Sequence, residues 1–402
     1  MRLSRKLIFF VLSLFILYSS FVLIRAIDKG EQDKSLAILA NQFLHGHISI
    51  PFTKDMPLGD ISKFGGRFYL YFGPFASIIL MPFVAIFGKN FPQLTIGLLS
   101  LALSFFAIYS ISRSFKFTKI DALWLALFFC FSTVLFAASI INISAYQVEV
   151  LGVPLVLLAL REYFSKKNFL LIGLFLGLAI MTRELLLLSL VFFVIEFFKK
   201  RITPKQLIII FIPVVVAGLL LATYNYLRFK SPTETGYIYS INLDSYPLSV
   251  NLHEGYMSIK HIPASLYSFL IMSPQPLLEK KDGFILKFPY LKASPWGMAI
   301  WFTSPLFLAL LYKFKKNKYT FPALITFLCL ALPLFTYFSI GFAQFGYRYA
   351  LDFLPFLFLL LIPSLQPRLS KKDIALICVG VIFNCIYIGS LWEIYPVFGI
   401  HP

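Results

Sequence analysis

Apolar runs separated by short polar clusters repeat along the whole chain. They cover residues 7–27, 93–112, 120–141, 146–160, 169–181, 185–198, 206–224, 296–312, 321–340, 347–363 and 374–392. Runs near the length a helix needs to cross hydrocarbon predict an all-α, multi-pass transmembrane helical protein of about eleven spans. One further apolar stretch, 71–88, carries Pro74 and Pro82.

The polar clusters set the topology. Arg2/Arg5/Lys6, Arg113/Lys116/Lys119, Arg161/Lys166/Lys167, Lys199/Lys200/Arg201/Lys205, Lys313/Lys315/Lys316/Lys318 and Arg368/Lys371/Lys372 hold more than half of the 36 basic residues. Basic loops stay on the cytoplasmic side. All six clusters share that side only if 71–88 does not span and instead lies on the outer surface or re-enters. By the same count 169–198 makes two short passes that turn outside at Thr182-Arg183-Glu184. The N-terminus is then cytoplasmic. The outer face carries residues 28–92, 225–295 and 341–346, with small turns at 142–145 and 182–184. The whole of 1–402 reads as one membrane-embedded domain with an outer layer of surface helices and loops.

In the first outer segment, Leu36, Leu39, Ala40, Phe43 and Leu44 recur at helical spacing and make one apolar face. A short helix with that stripe, next to a span, is expected to lie along the bilayer surface. Gly46 is its expected stop.

Composition narrows the class. The chain is 59% hydrophobic and 13% charged, with mean hydropathy +0.82, more apolar surface than a soluble fold of this length can hide. The net charge of +18 raises nucleic acid as a partner, but clustering of the bases between apolar runs excludes it. Cys130, Cys329, Cys378 and Cys385 all lie in apolar runs without ligand or disulfide spacing, and read as core residues. The basic start resembles a signal peptide, yet the apolar stretch behind it is long and reads as a retained span.

Asp28, Glu31 and Asp33 are the acids of the first outer segment. Asp33, opening the surface helix, reads as a helix N-cap and as a candidate general base, two roles that are compatible. Asp55 and Asp60 sit in a Pro/Gly-containing loop and read as solvated. An arginine near hydrocarbon is costly and has a partner or a task, which singles out Arg183 between two short runs. Arg348 has Asp352 four residues on, so it reads either as one half of a helix-end pair or as a bidentate phosphate reader. Arg228 past the seventh span reads similarly, or as an interface anchor. His45 and His47 lack a third ligand, so no metal site is expected there. Tyr69, Tyr71, Tyr224, Tyr226, Tyr237, Tyr239, Tyr347 and Tyr349 cluster at outer boundaries, as an aromatic belt or as stacking surfaces for sugar.

An early outer acid, a surface helix behind it, and the segment Gly66-x-x-Tyr69-x-x-x-x-Pro74 resemble the GT-C class of integral-membrane glycosyltransferases, relatives of protein O-mannosyltransferases and lipid A aminoarabinose transferases. The strings ANQFLHGHISI, GGRFYLYFGPFASIILMPFVAIFG, GLFLGLAIMTR, YNYLRFKSPTETGY and QFGYRYALDFLPFL, spread over 36–358, are similar to bacterial multi-pass proteins of that class. The resemblance implies transfer of a sugar from a polyprenyl-phosphate donor to a glycan, lipid or protein acceptor. It places the site on the outer face of the bacterial cytoplasmic membrane, with inversion at the anomeric centre and no required cofactor; a divalent metal occurs in some members. Asp33 is the implied base. Arg183, Arg348 and Arg228 are the candidates for donor phosphate, with Glu31, Tyr347 and His45 in support. The chain departs from the class where Gln32 separates Glu31 from Asp33, where Glu184 replaces the usual Pro, and where Lys230 replaces the usual Gly before Ser231-Pro232. A lipid-linked-sugar flippase or transporter, and a polymerase or ligase of diphosphate-linked glycans, are the alternative readings.

Overall fold

The computed structural model describes residues 33–52, 60–241, 248–280 and 283–388. The expected first span 7–27, the acids Asp28, Glu31 and Asp55, and the last residues of the 374–392 run lie outside the described residues.

The centre of the fold is the helix Ser144–Phe164, whose membrane-length window is 94% buried. Apart from Gln147, Glu149 and its charged last turn, its sequence is apolar on all sides, as a helix surrounded by protein allows. It packs between the helices Thr95–Ser114 and Phe169–Ile180. Phe169–Ile180 in turn lies against Pro204–Phe229. Gly173 and Gly177, one turn apart, let those two backbones touch: a Cβ on Gly173 would stand 2.2 Å from the Ile210 carbonyl oxygen. The outer side of Pro204–Phe229 leaves Ile208, Ile212, Val215 and Leu219 exposed, an apolar strip largely uncovered among the described residues.

Helix starts follow their caps. Thr203 and Gln206 form a capping box ahead of Pro204–Phe229, and Ser370 with Asp373 does the same for Lys371–Tyr387. Asp373 also receives Lys313 Nζ at 2.6 Å, tying two neighbouring helix ends together.

Among the described residues, three helices are long and apolar enough to cross a membrane, Thr95–Ser114, Ser144–Phe164 and Pro204–Phe229. A fourth arises if Lys119–Phe131 and Val134–Ile140, bent by 54°, count as one. The bend sits at Thr133, whose hydroxyl donates back to Phe129 O and accepts from Leu135 N, ending one helix and capping the next. The 296–312 run is broken into Ile300–Thr303, a 3-10 turn Pro305–Leu308, and Ala309–Tyr312, because Pro305 has no N–H for a continuous helix. The 185–198 run opens as a 3-10 turn, Glu184–Ser189, before Leu190–Phe198 becomes α-helical.

Two expectations change. The surface helix forms, over Ser35–Leu44, but Leu36, Leu39 and Ala40 are buried against the helix Phe75–Phe87 while Leu44 is exposed, so most of the stripe makes a protein contact. The fold is also not purely helical. Ile61–Phe64 pairs with Arg67–Leu70 across Gly65-Gly66, both at positive φ as a tight hairpin turn demands, and Gln275–Lys280 pairs with Ile285–Lys292.

Lys230 terminates Pro204–Phe229 in the left-handed region at φ 60°, its N–H donating to Tyr226 O at 2.9 Å. A side chain there is strained, and Gly is the usual solution. Lys230→Gly is therefore expected to stabilise the protein by about 1 kcal/mol, read as a higher midpoint of thermal unfolding in detergent.

Candidate active site

Two arginines converge on one buried carboxylate. Glu149 lies on the second turn of Ser144–Phe164, facing the interior. Arg183 stands in the break after Phe169–Ile180 and donates Nη1 to Glu149 Oε1 at 2.9 Å. Arg348 Nη1 lies 3.3 Å from the same oxygen. Asp352 takes Arg183 through Nε at 3.1 Å and Nη2 at 2.9 Å. The i, i+4 pair of Arg348 with Asp352 does not form. Residues 348–352 are a 3-10 turn, in which positions four apart no longer stack, so Asp352 turns to Arg183. Two guanidinium groups thus balance two carboxylates, the condition under which such burial is tolerable. The carboxylate side chains are 3% and 2% exposed and the arginines 15% and 14%, so the cationic edge faces outward.

Tyrosines frame that edge. The Arg348 guanidinium lies over the rings of Tyr146 and Tyr349, at 4.8 and 4.9 Å. Tyr349 meets Tyr337 edge-on at 6.1 Å, and Tyr71 lies on Tyr237 with centroids 4.3 Å apart. Tyr146 is fixed by its hydroxyl, which donates to Ala343 O at 2.8 Å.

The acids of the first segment gather at the N-terminal end of Ser144–Phe164. Asp33 accepts from Ser35 N at 2.8 Å, from Ser144 N at 2.6 Å and from the Ser144 hydroxyl. It therefore links the start of one helix to the start of another, and only 8% of it is exposed. Asp60 is beside it and is not solvated as its loop composition implied. Its Oδ2 accepts from Ala145 N at 3.1 Å and its Oδ1 from the Tyr71 hydroxyl at 3.0 Å. Burial, and then the negative charge of Asp33, push its pKa up to about 6, against the opposing pull of Tyr71 and Arg348.

The remaining candidates lie elsewhere. Arg228 is enclosed: it is 1% exposed, donates to Leu70 O and Phe72 O and, at 2.6 Å, to Asn225 Oδ1, and is stacked on Tyr224. It fastens the end of the first hairpin to a helix. Tyr347 is buried among Phe269 and Phe335. His45 is exposed at the end of Ser35–Leu44, its Nδ1 on Asn41 O. Of the residues gathered here, the sequence reading leaves out Glu149, takes Asp60 as solvated, and takes Tyr71 and Tyr237 as belt or stacking residues. Glu149 did carry a signal, as a lone acid inside the apolar run 146–160. Asp60 carried none.

No protein-family model matches the sequence, and no curated protein is significantly similar to it. Two crystal structures of ArnT from Cupriavidus metallidurans are similar in structure, one in the apo state and one bound to undecaprenyl phosphate. Each aligns at TM-score 0.49 and 14% identity, over 92% of this chain and 62% of the other. The chain thus spans less than two thirds of the length of those structures.

Proposed function

We propose that this chain is a GT-C-type glycosyltransferase that moves a sugar from a polyprenyl-phosphate donor to a hydroxyl or amine acceptor, at the outer face of a bacterial cytoplasmic membrane. The observation that carries this reading is the arginine pair. Arg183 and Arg348 come from distant parts of the chain, share Glu149 and keep an outward edge. Among the described residues, Arg348 Nε has no hydrogen-bond acceptor. A buried donor left unpaired is costly, and an anionic phosphate oxygen would satisfy it.

In this reading the arginines hold the donor phosphate and absorb charge as the glycosidic bond breaks. The leaving group is a stable anion, so no acid has to protonate it. One carboxylate must take the acceptor's proton, and it comes from the Asp33–Asp60 pair, of which the sequence resemblance implies Asp33. Inversion follows from single displacement. The proposed topology is eleven spans with a cytoplasmic N-terminus and an outer layer from 28–92 and 225–295. Its support is that residues near 33, 60, 71, 145, 183, 237 and 348, assigned to one face or its span ends by the basic clusters, meet at one site.

The test is release of polyprenyl phosphate by the purified protein in lipid vesicles, offered monophosphate- and diphosphate-linked sugars with an acceptor extract. Release from a monophosphate donor supports the reading. Release from diphosphate donors alone would make it a polymerase or ligase, and binding without release would point to a flippase. Arg348→Ala is expected to weaken donor binding by about tenfold or more, the loss of one charge-assisted bond. Asp352→Ala should act chiefly on stability, since Asp352 touches Arg183 from behind. Equal loss of donor binding in both would count against phosphate recognition by Arg348.

A further inference from the structure

Within the transferase reading, we propose that Asp60 is the catalytic base and that Asp33 is a positioning residue that holds it. Three donors already occupy Asp33: the Ser35 amide, the Ser144 amide and the Ser144 hydroxyl. A carboxylate offers about four acceptor sites, so Asp33 has little left for a substrate. Its bonds fasten two helix starts, a task that a proton would undo. Asp60 carries two donors, the Ala145 amide and the Tyr71 hydroxyl, one on each oxygen. It is half-buried, where Asp33 is buried. It also lies within electrostatic reach of Arg348.

The step balances. The acceptor O–H or N–H bond breaks and its proton goes to Asp60, while the acceptor atom bonds to the anomeric carbon. The bond from that carbon to the phosphate oxygen breaks, and its electron pair leaves with the phosphate against Arg183 and Arg348. Asp60 then returns the proton to water. Poised near pH 6, it is ionised at neutral pH yet basic enough to accept. What sets this is burial first, then Asp33, the Tyr71 hydroxyl, Arg348 and the Ala145 amide.

The experiment is the pH profile of polyprenyl-phosphate release by full-length protein in vesicles, using polyprenyl-phosphate-linked glucose, galactose, mannose and arabinose with an acceptor extract. Wild type should lose rate on the acid side with a midpoint near 6. Asp60→Asn should lower kcat by about a thousandfold with little change in donor KM, and Asp60→Glu should restore part of it. Two variants that keep the carboxylate guard against a folding failure. Tyr71→Phe removes a hydrogen bond to the charged form, so the acid limb should move up by about half a unit to one unit. Asp33→Asn removes a negative neighbour, so the limb of its residual activity should move down. Asp60→Asn at more than a tenth of wild-type kcat, or an acid limb that neither variant moves, would overturn the assignment. Failure of wild type to release polyprenyl phosphate from any donor would instead overturn the transferase reading, and this inference with it.

Discussion

Glu149→Gln is expected to destabilise the protein by about 3–5 kcal/mol, the usual cost of removing one partner from a buried ion pair. Glutamine has nearly the same shape, so packing on Ser144–Phe164 stays and the change isolates the charge. Arg183 would keep Asp352, but Arg348 would lose its one carboxylate contact among the described residues. Size scaling converts that cost to a fall in melting temperature of about 5 °C. Donor affinity should fall as well, because the two guanidinium groups would no longer be drawn to a common oxygen. Thermal unfolding in detergent and donor binding check both effects. A variant as stable as wild type would mean that the arginines find their balance elsewhere.

Asp33→Asn is expected to lower transfer by at least about a hundredfold while the protein stays in the membrane. Asp33 is not the N-cap of Ser35–Leu44, a place Lys34 holds, but hydrogen bonds to a charged acceptor are worth about 1.5–3 kcal/mol each. An asparagine would turn its amide toward the Ser144 hydroxyl or amide and break at least one of them. The start of Ser144–Phe164 would then shift relative to Ser35–Leu44, and Asp60, held by the next amide, would shift with it. Polyprenyl-phosphate release and membrane fractionation of the same preparation check this. Transfer near the wild-type level would remove Asp33 from the mechanism both as base and as positioning group.

Much of the local architecture could be read in advance. Thr203 with Gln206 and Ser370 with Asp373 mark helix starts through chemistry contained within four residues. The stripe through Leu36, Leu39 and Ala40 foretold a helix, because periodicity reports a face. It did not foretell the occupant of that face: lipid and Phe75–Phe87 ask the same of it. The pairing of Arg348 failed for a related reason. The i, i+4 rule presumes an α-helix, and the backbone there winds more tightly. Breaks in the helices at 141–143 and 181–183 lie next to the turns that charge counting placed at 142–145 and 182–184, and the site lies beside them. Asp60 was not, since its burial is made by Ala145 and Tyr71, contacts that no local pattern encodes.

The shared glutamate also bears on how the chain is assembled. Glu149 is made 34 residues before Arg183 and long before Arg348. At about 5–20 residues per second, several seconds of synthesis separate the acid from its first cation. Through that interval a bare carboxylate sits in an otherwise apolar segment, which biogenesis must hold in a wet or protein-lined place. Handover is complete only when Arg348 arrives, so the site closes late in translation. Truncation between 183 and 348 should therefore yield chains retained by the insertion machinery or cleared by membrane proteases, and not a stable half-molecule.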